Sequence, residues 1–265
     1  MAYLSATIYV MTAAAKKAAR GLVRDFGEVE QLQVSLKGTN DFVSAADIKT
    51  EQTLVRELRK SRPDYGFLRE EGGGEVGRDA SHRWVIDPLD GTTNFLHGIP
   101  HFSISIGLER DGEIIAGVVY HPIADEMYYA EKGLGAFLND RRLRVSARRR
   151  IDESLIATGI PYLGRPGHEV FLAQVRAVMA STAGVRRMGS AALDLAYVAA
   201  GRYDGFWEMN LAAWDVAAGI VIVREAGGYV TEVSGGRDIL KSGSVLAAND
   251  HLHQPLGDLL RAVTV

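Results

Sequence analysis

The segment RWVIDPLDGTTNF, residues 83–95, passes from a strand-like apolar stretch into two aspartates, Asp87 and Asp90, and then into glycine, two threonines and asparagine. Asp-Gly is a hairpin signal and Pro88 suits a strand end, so the acids could serve a turn alone. Ionised carboxylates, however, resist burial unless they are paired or hold a cation. Directly after them, Gly91-Thr92-Thr93 opens a short helix whose free N–H groups suit a phosphate, with Gly91 allowing close backbone approach.

On the N-terminal side, Leu4, Ile8, Met11, Ala15, Ala18, Leu22 and Phe26 recur at steps of three and four, which predicts an amphipathic helix ending near Gly27. SAADIKTEQTLVRELRK predicts a second helix, with Ser44 and Asp47 at capping-box spacing and Pro63 beyond its end. Asp47 then lies in a first helical turn. From Trp84 to about Val145 the texture is that of strands: WVID, FSISIGLER, EIIAGVVYHP, EMYYAEKG, AFLND and LRVS, with an Asp111-Gly112 hairpin. These predict a large, mostly antiparallel sheet. Beyond it, helical stretches (EVFLAQVRAVMAS, SAALDLAYVAAG, WDVAAGIVIVREAGG) alternate with short strands (DGFWEM, YVTEV, SVLAAN). One domain is expected over 1–265, with sub-structures 1–150 and 151–265.

The bulk composition narrows the chemistry. A net charge of -3 gives no overall field that would draw the chain to nucleic acid or to an anionic membrane. The absence of cysteine removes disulfides, thiolate nucleophiles and cysteine-bound zinc or iron–sulfur clusters. The early apolar run ATIYVMTAAA has no preceding basic segment and meets Lys16-Lys17, so it fits neither a signal peptide nor a membrane span, and a cytoplasmic location is expected.

Three motifs point elsewhere and are weak. GGGEVG (72–77) satisfies G-x-G-x-x-G, but RDASHRW follows it where a phosphate-capping helix should be. RRLRVSARRR (141–150) is arginine-rich but has no aromatic residue on which bases could stack. The seven histidines show no zinc spacing.

Four acidic stations remain: Asp47, the pair Glu70-Glu71, the pair Asp87 and Asp90, and Asp215 in WDVAAG. Each has an ordinary structural use as a cap, surface charge or helix-terminus partner. Together, clustered acids without histidine suit magnesium, which takes a few carboxylates plus water and phosphate oxygens. Acids for a cation beside amides for a phosphate describe a metal-dependent phosphatase.

At this point the sequence resembles the inositol monophosphatases, within the lithium-sensitive, magnesium-dependent phosphatase superfamily. DPLDGTTNF is similar to that family's first signature and WDVAAGIVIVREAGG to its second, REEG to its paired-glutamate segment and NDFVSAAD to the segment carrying its helical aspartate. GSAALDLAYVAAGRYDGFWEM is especially similar to bacterial members, and the resemblance spans nearly the whole chain.

The resemblance implies an α+β fold, a layered α-β-α-β-α sandwich of the inositol monophosphatase / fructose-1,6-bisphosphatase type, usually a homodimer, with the site between the two halves. It implies Glu70, Asp87 and the Leu89 carbonyl as ligands of a first Mg2+, and Asp87, Asp90 and Asp215 as ligands of a second, with a third, weaker ion near Glu70. Thr92, backed by Asp47, would orient and deprotonate the attacking water. Gly91 and Thr92 would give N–H groups to the phosphate. Gly189, Ser190, Ala191 and Glu208 would meet the inositol hydroxyls, with Asp90 and Asp215 also near the substrate.

The implied reaction is hydrolysis of myo-inositol 1-phosphate by in-line attack of a metal-activated water, with lithium as inhibitor. Relatives acting on fructose 1,6-bisphosphate, histidinol phosphate or adenosine 3',5'-bisphosphate share the metal motifs, so the alcohol stays open. A role as a binding module for RNA or a transcription complex, through segment 141–150, is the alternative of another class.

Overall fold

The computed structural model describes residues 4–28, 34–37, 41–162 and 164–263. Helix α1 (Ala6–Phe26) starts at Ser5, whose side chain accepts the Ile8 N–H, and stops at Gly27, as its periodicity predicts. A short hairpin, β1 (Val34–Lys37) and β2 (Asp41–Ser44), leads into α2 (Ala45–Ser61), which carries Asp47 in its first turn. The cap expected at Ser44 falls on a side chain outside the described residues. Strands β3 (Tyr65–Arg69), β4 (Gly73–Glu75) and β5 (Asp79–Asp90) follow, then the short helix α3 (Thr92–Leu96).

Strands β6 (Ser103–Arg110), β7 (Glu113–His121), β8 (Glu126–Glu131), β9 (Gly135–Leu138) and β10 (Arg141–Arg142) complete an eight-stranded sheet of order β10-β9-β8-β7-β6-β5-β3-β4. Every pairing in it is antiparallel except β3 with β5, which run parallel. The C-terminal part comprises β11 (Leu155–Thr158), α4 (His168–Ser181), β12 (Gly184–Arg186), α5 (Ala191–Ala199), β13 (Gly205–Glu208), α6 (Ala213–Glu225), β14 (Tyr229–Thr231), α7 (Ile239–Ser242), β15 (Val245–Ala248) and α8 (His253–Arg261). Its sheet has the order β12-β11-β13-β15-β14.

Three apolar cores stack these elements into layers. The first joins α1 and α2 to one face of the large sheet through Met11, Leu22, Leu54, Trp84 and Ile106. In the second, α5 and α6 lie between the two sheets. The third packs α4 and α8 against the far face of the small sheet through Phe171, Val178, Trp207 and Leu256. The order is therefore α-β-α-β-α, as expected.

Helix α6 is buried continuously from Val216 to Val223, since a helix between two sheets has no solvent face. Its close approach to the large sheet requires glycine there. A β-carbon on Gly117 would lie 2.6 Å from the Ala218 carbonyl oxygen, and one on Gly107 would lie 2.9 Å from the Ala217 β-carbon.

One local expectation is corrected, and two weak motifs find ordinary structural uses. LRVS (143–146) is not a strand; Leu143 is buried and the Val145 N–H bonds to the Ala226 carbonyl, so tertiary contact rather than a ladder accounts for its apolar character. GGGEVG forms the edge strand β4 and a turn with Val76 fully exposed, and β5 rather than a helix follows. Arg148 pairs with Asp204, and Arg150 with Asp152 and Glu153, so part of the arginine-rich segment is engaged by the chain's own acids. Among the described residues no helix is long and apolar enough to cross a membrane.

Candidate functional site

The decisive local feature is an irregularity at the end of β5. Strand β5 pairs Asp87 with Ser105 and Asp90 with Ser103, so Pro88 and Leu89 stand opposite the single residue Ile104. In a regular strand residues three apart face opposite sides; the extra residue brings Asp87 and Asp90 to the same side. Pro88 is tolerated because it sits in this bulge, and the Leu89 N–H turns inward to donate to Asp87 Oδ1 at 2.9 Å. The hairpin reading of Asp90-Gly91 fails: Gly91, at φ 99°, turns the chain directly into α3. A β-carbon there would lie 3.1 Å from the His101 carbonyl oxygen and 3.2 Å from that of Gly189.

These residues open onto a cavity of about 740 Å³. Glu70, Asp87, Leu89, Asp90, Gly91 and Thr92 line it from the first half of the chain; Gly189, Ser190, Ala191, Glu208 and Asp215 line it from the second. Thus eleven of the twelve residues singled out in the sequence meet at one cavity. Asp47 is the exception: it is buried behind the wall, where its charge reaches Glu70. The segment carrying Glu70 is anchored by α2, since Glu51 Oε2 accepts the Glu71 N–H at 2.9 Å.

The chain positions each acid by backbone hydrogen bonds. Asp90 Oδ2 accepts the Ser190 hydroxyl at 2.5 Å and the Ala192 N–H at 2.8 Å, which ties it to the start of α5. Asp215, in the first turn of α6, accepts the Ala212 N–H at 2.7 Å. The Thr92 hydroxyl donates to the Leu89 carbonyl at 2.9 Å. Glu70 and Asp87 are neighbours whose charges act on each other.

Burial, followed by crowding of like charge, dominates the electrostatics. Burial first, then Glu70, Asp90 and Asp215, pushes the Asp87 carboxyl well above the usual carboxylate range. Glu70 reaches solvent through the cavity, yet loss of surrounding water and then Asp215 and Asp47 move it upward as well. Glu208 is pushed up to about 8, chiefly by burial and then by Asp215 and Asp90, against a smaller opposing pull from Arg187 and Arg165.

Among the described residues no three acids or histidines already converge as a metal cage. The donor set nonetheless fits a hard divalent cation: every candidate ligand is an oxygen, and no basic side chain figures among the main influences on Asp87.

Sequence reasoning missed four participants. Gly159 and Arg187 line the cavity without any motif to mark them. Asp194, also in the wall, is buried with Oδ1 lacking a hydrogen bond, and an acid inside the apolar run AALDLAYVAAG was a readable signal. Asn94 is buried in the first signature itself.

The model of the inositol monophosphatase family matches residues 4–264. The chain belongs to the inositol monophosphatase family. It is 58% identical over 257 residues to the inositol-1-monophosphatase of Rhizobium meliloti, covering 97% of each chain. It is also 44% identical over 240 residues to a protein named Nus factor SuhB from Pseudomonas aeruginosa, covering 89% of each. The crystal structure of extragenic suppressor protein suhB from Bartonella henselae superposes with a TM-score of 0.96 at 58% identity, covering 98% of this chain and all of that one. As a member of this family the chain is a phosphoric monoester hydrolase, and the cavity at the bulged end of β5 is where its acids gather.

Proposed function

We propose that this phosphatase hydrolyses myo-inositol 1-phosphate to myo-inositol and phosphate with the help of magnesium, acting as one domain whose halves, 1–150 and 151–265, meet at the cavity. The observation that carries the reading is the bulge of β5. It turns Asp87 and Asp90 into the same cavity that Asp215 and Glu70 line, together with Ser190 and Glu208. The name of the Rhizobium meliloti relative supports the choice of alcohol.

Glu70, Asp87, Asp90, Asp215 and the Leu89 carbonyl are the groups that would hold two or three Mg2+ ions. When bound, the cation neutralises phosphate charge and acidifies water. The chain's own residues do the rest. The N–H groups of Gly91 and Thr92 receive phosphate oxygens at the turn, while the Thr92 hydroxyl, with Asp47 behind it, orients the attacking water. Gly189, Ser190, Ala191 and Glu208 receive the alcohol, with Asp90 and Asp215 at its near edge. Water oxygen bonds to phosphorus as the ester P–O bond breaks in line, and a proton reaches the departing alkoxide. Positioning and charge neutralisation suffice, because phosphoryl transfer needs little covalent help.

Phosphate release from inositol 1-phosphate, fructose 1,6-bisphosphate, histidinol phosphate and adenosine 3',5'-bisphosphate, with and without magnesium and lithium, tests this directly. Magnesium-dependent, lithium-inhibited turnover led by inositol 1-phosphate is expected. A different leading substrate overturns the choice of alcohol, and turnover indifferent to magnesium overturns the metal.

The relative named Nus factor SuhB favours a second reading, association with transcription machinery or RNA. Such binding would weaken steeply with salt and survive Asp87→Asn.

A further inference from the structure

Two residues of the turn that leaves β5 grip the segment 188–192 from the other half of the chain. Asp90 does so through Ser190 and Ala192, as described. The second grip is Asn94, which is 5% exposed and donates through Nδ2 to the His101 carbonyl at 2.7 Å and to the Met188 carbonyl at 2.8 Å. Both partners are carbonyl oxygens, so the amide orientation is determined: only the NH2 end can satisfy them, and both its hydrogens are used. Between the grips Gly189 adopts φ 88°, and a β-carbon on it would lie 3.1 Å from Asn94 Nδ2.

Nothing else about residue 94 requires an amide. Its neighbour Phe95 serves the apolar core, whereas Asn94 spends its side chain on the backbones of two loops. We propose that Asn94 is a positioning residue for the reaction: it sets the spacing between the Gly91-Thr92 turn and the Gly189–Ala191 segment, and so governs how phosphate and alcohol are held together. It touches neither the acids nor the cavity. This rests on the active-site reading above.

Asn94→Asp keeps the shape and replaces two donors by acceptors that face two carbonyls; Asn94→Ser is the milder variant should the first not fold. The expected result is a KM for inositol 1-phosphate raised about 10-fold or more, with the magnesium concentration for half-activity changed by less than about two-fold. Amide hydrogen exchange adds a readout independent of activity: exchange over 188–192 should accelerate while that of α6 stays as in the wild type. An unchanged KM and unchanged exchange at 188–192 overturn the proposal. So does acceleration throughout the chain together with a matching rise in magnesium requirement, which marks general destabilisation. A wild type that does not hydrolyse inositol 1-phosphate overturns the substrate reading instead, and the exchange data then decide the positioning role by themselves.

Discussion

Gly159 and Glu208 lie in such close contact that a β-carbon on residue 159 would sit 1.8 Å from Glu208 Oε1 and 1.9 Å from its carboxyl carbon. The Glu208 carboxylate thus rests against bare backbone, and its position depends on the absence of a side chain 49 residues earlier in the chain.

Gly159→Ala should therefore displace Glu208 without touching the acids on β5. The KM for inositol 1-phosphate is expected to rise about 10-fold or more, because a wall that pairs with hydroxyls discriminates strongly once misplaced. Hydrolysis of an aryl phosphate lacking hydroxyls should change by less than about two-fold. Equal loss on both substrates would refute this role for Glu208.

Asp87→Asn should separate stability from turnover. Asp87 lies under charge from three other acids, and an amide at 87 removes one negative charge from that cluster. The melting temperature in chelator is expected to rise by about 2–6 °C, while phosphatase activity falls at least about 100-fold at any magnesium concentration. Activity near that of the wild type at high magnesium would show that Asp87 is not a ligand.

How far these features could be read from sequence varies with how local their causes are. Helix α6 was legible because its apolar run is uninterrupted from Val216 to Val223, between Trp214-Asp215 and the terminating Gly227-Gly228. The bulge of β5 was not, because Pro88 reads equally as a strand end and only the register against β6 reveals the extra residue. Strands β11 and β12 span three or four residues, too short for a period to show. The acids of the site were legible as residue types in recognisable signatures, whereas Gly159 and Asn94 act through contacts with distant backbone or side chains that no local pattern encodes.

Acid stability provides a third test. His101 packs edge-on against His121 and beside Tyr197, with Glu126 and Arg202 facing His121; His101 Nε2 and His121 Nδ1 have no hydrogen-bond partner. Burial, with a smaller push from His121, lowers His101 from 6.5 to about 4. The unfolded chain takes up a proton near pH 6.5 that the folded chain refuses, so this stability is whole above that pH and is lost as pH falls towards 4. About 2–3 kcal/mol should disappear across the window, measured by urea unfolding, and His101→Gln should flatten the slope. An unaltered slope in that variant would assign the loss to other groups, the lowered His121 and His253 among them.

Two glycine-to-alanine changes should act in opposite directions. At Gly117 the added methyl meets α6 backbone at 2.6 Å, and overpacking should cost about 1–3 kcal/mol. Gly21, inside α1 with nothing within 4 Å, should instead gain about 0.5–1 kcal/mol from alanine's helix propensity. Urea midpoints of the two variants decide both, and a neutral Gly117→Ala would mean that α6 can shift on its sheet.

The same tight seating of α6 bears on how substrate enters and product leaves. With α6 packed between both sheets and contacting the large one through Gly107 and Gly117, swinging the halves apart as jaws would have to break that packing. Passage to and from the cavity is then expected past its rim, where Ile160, Tyr162 and Arg187 are exposed, so turnover limited by release should respond to changes in those loops more than to stiffening between the layers.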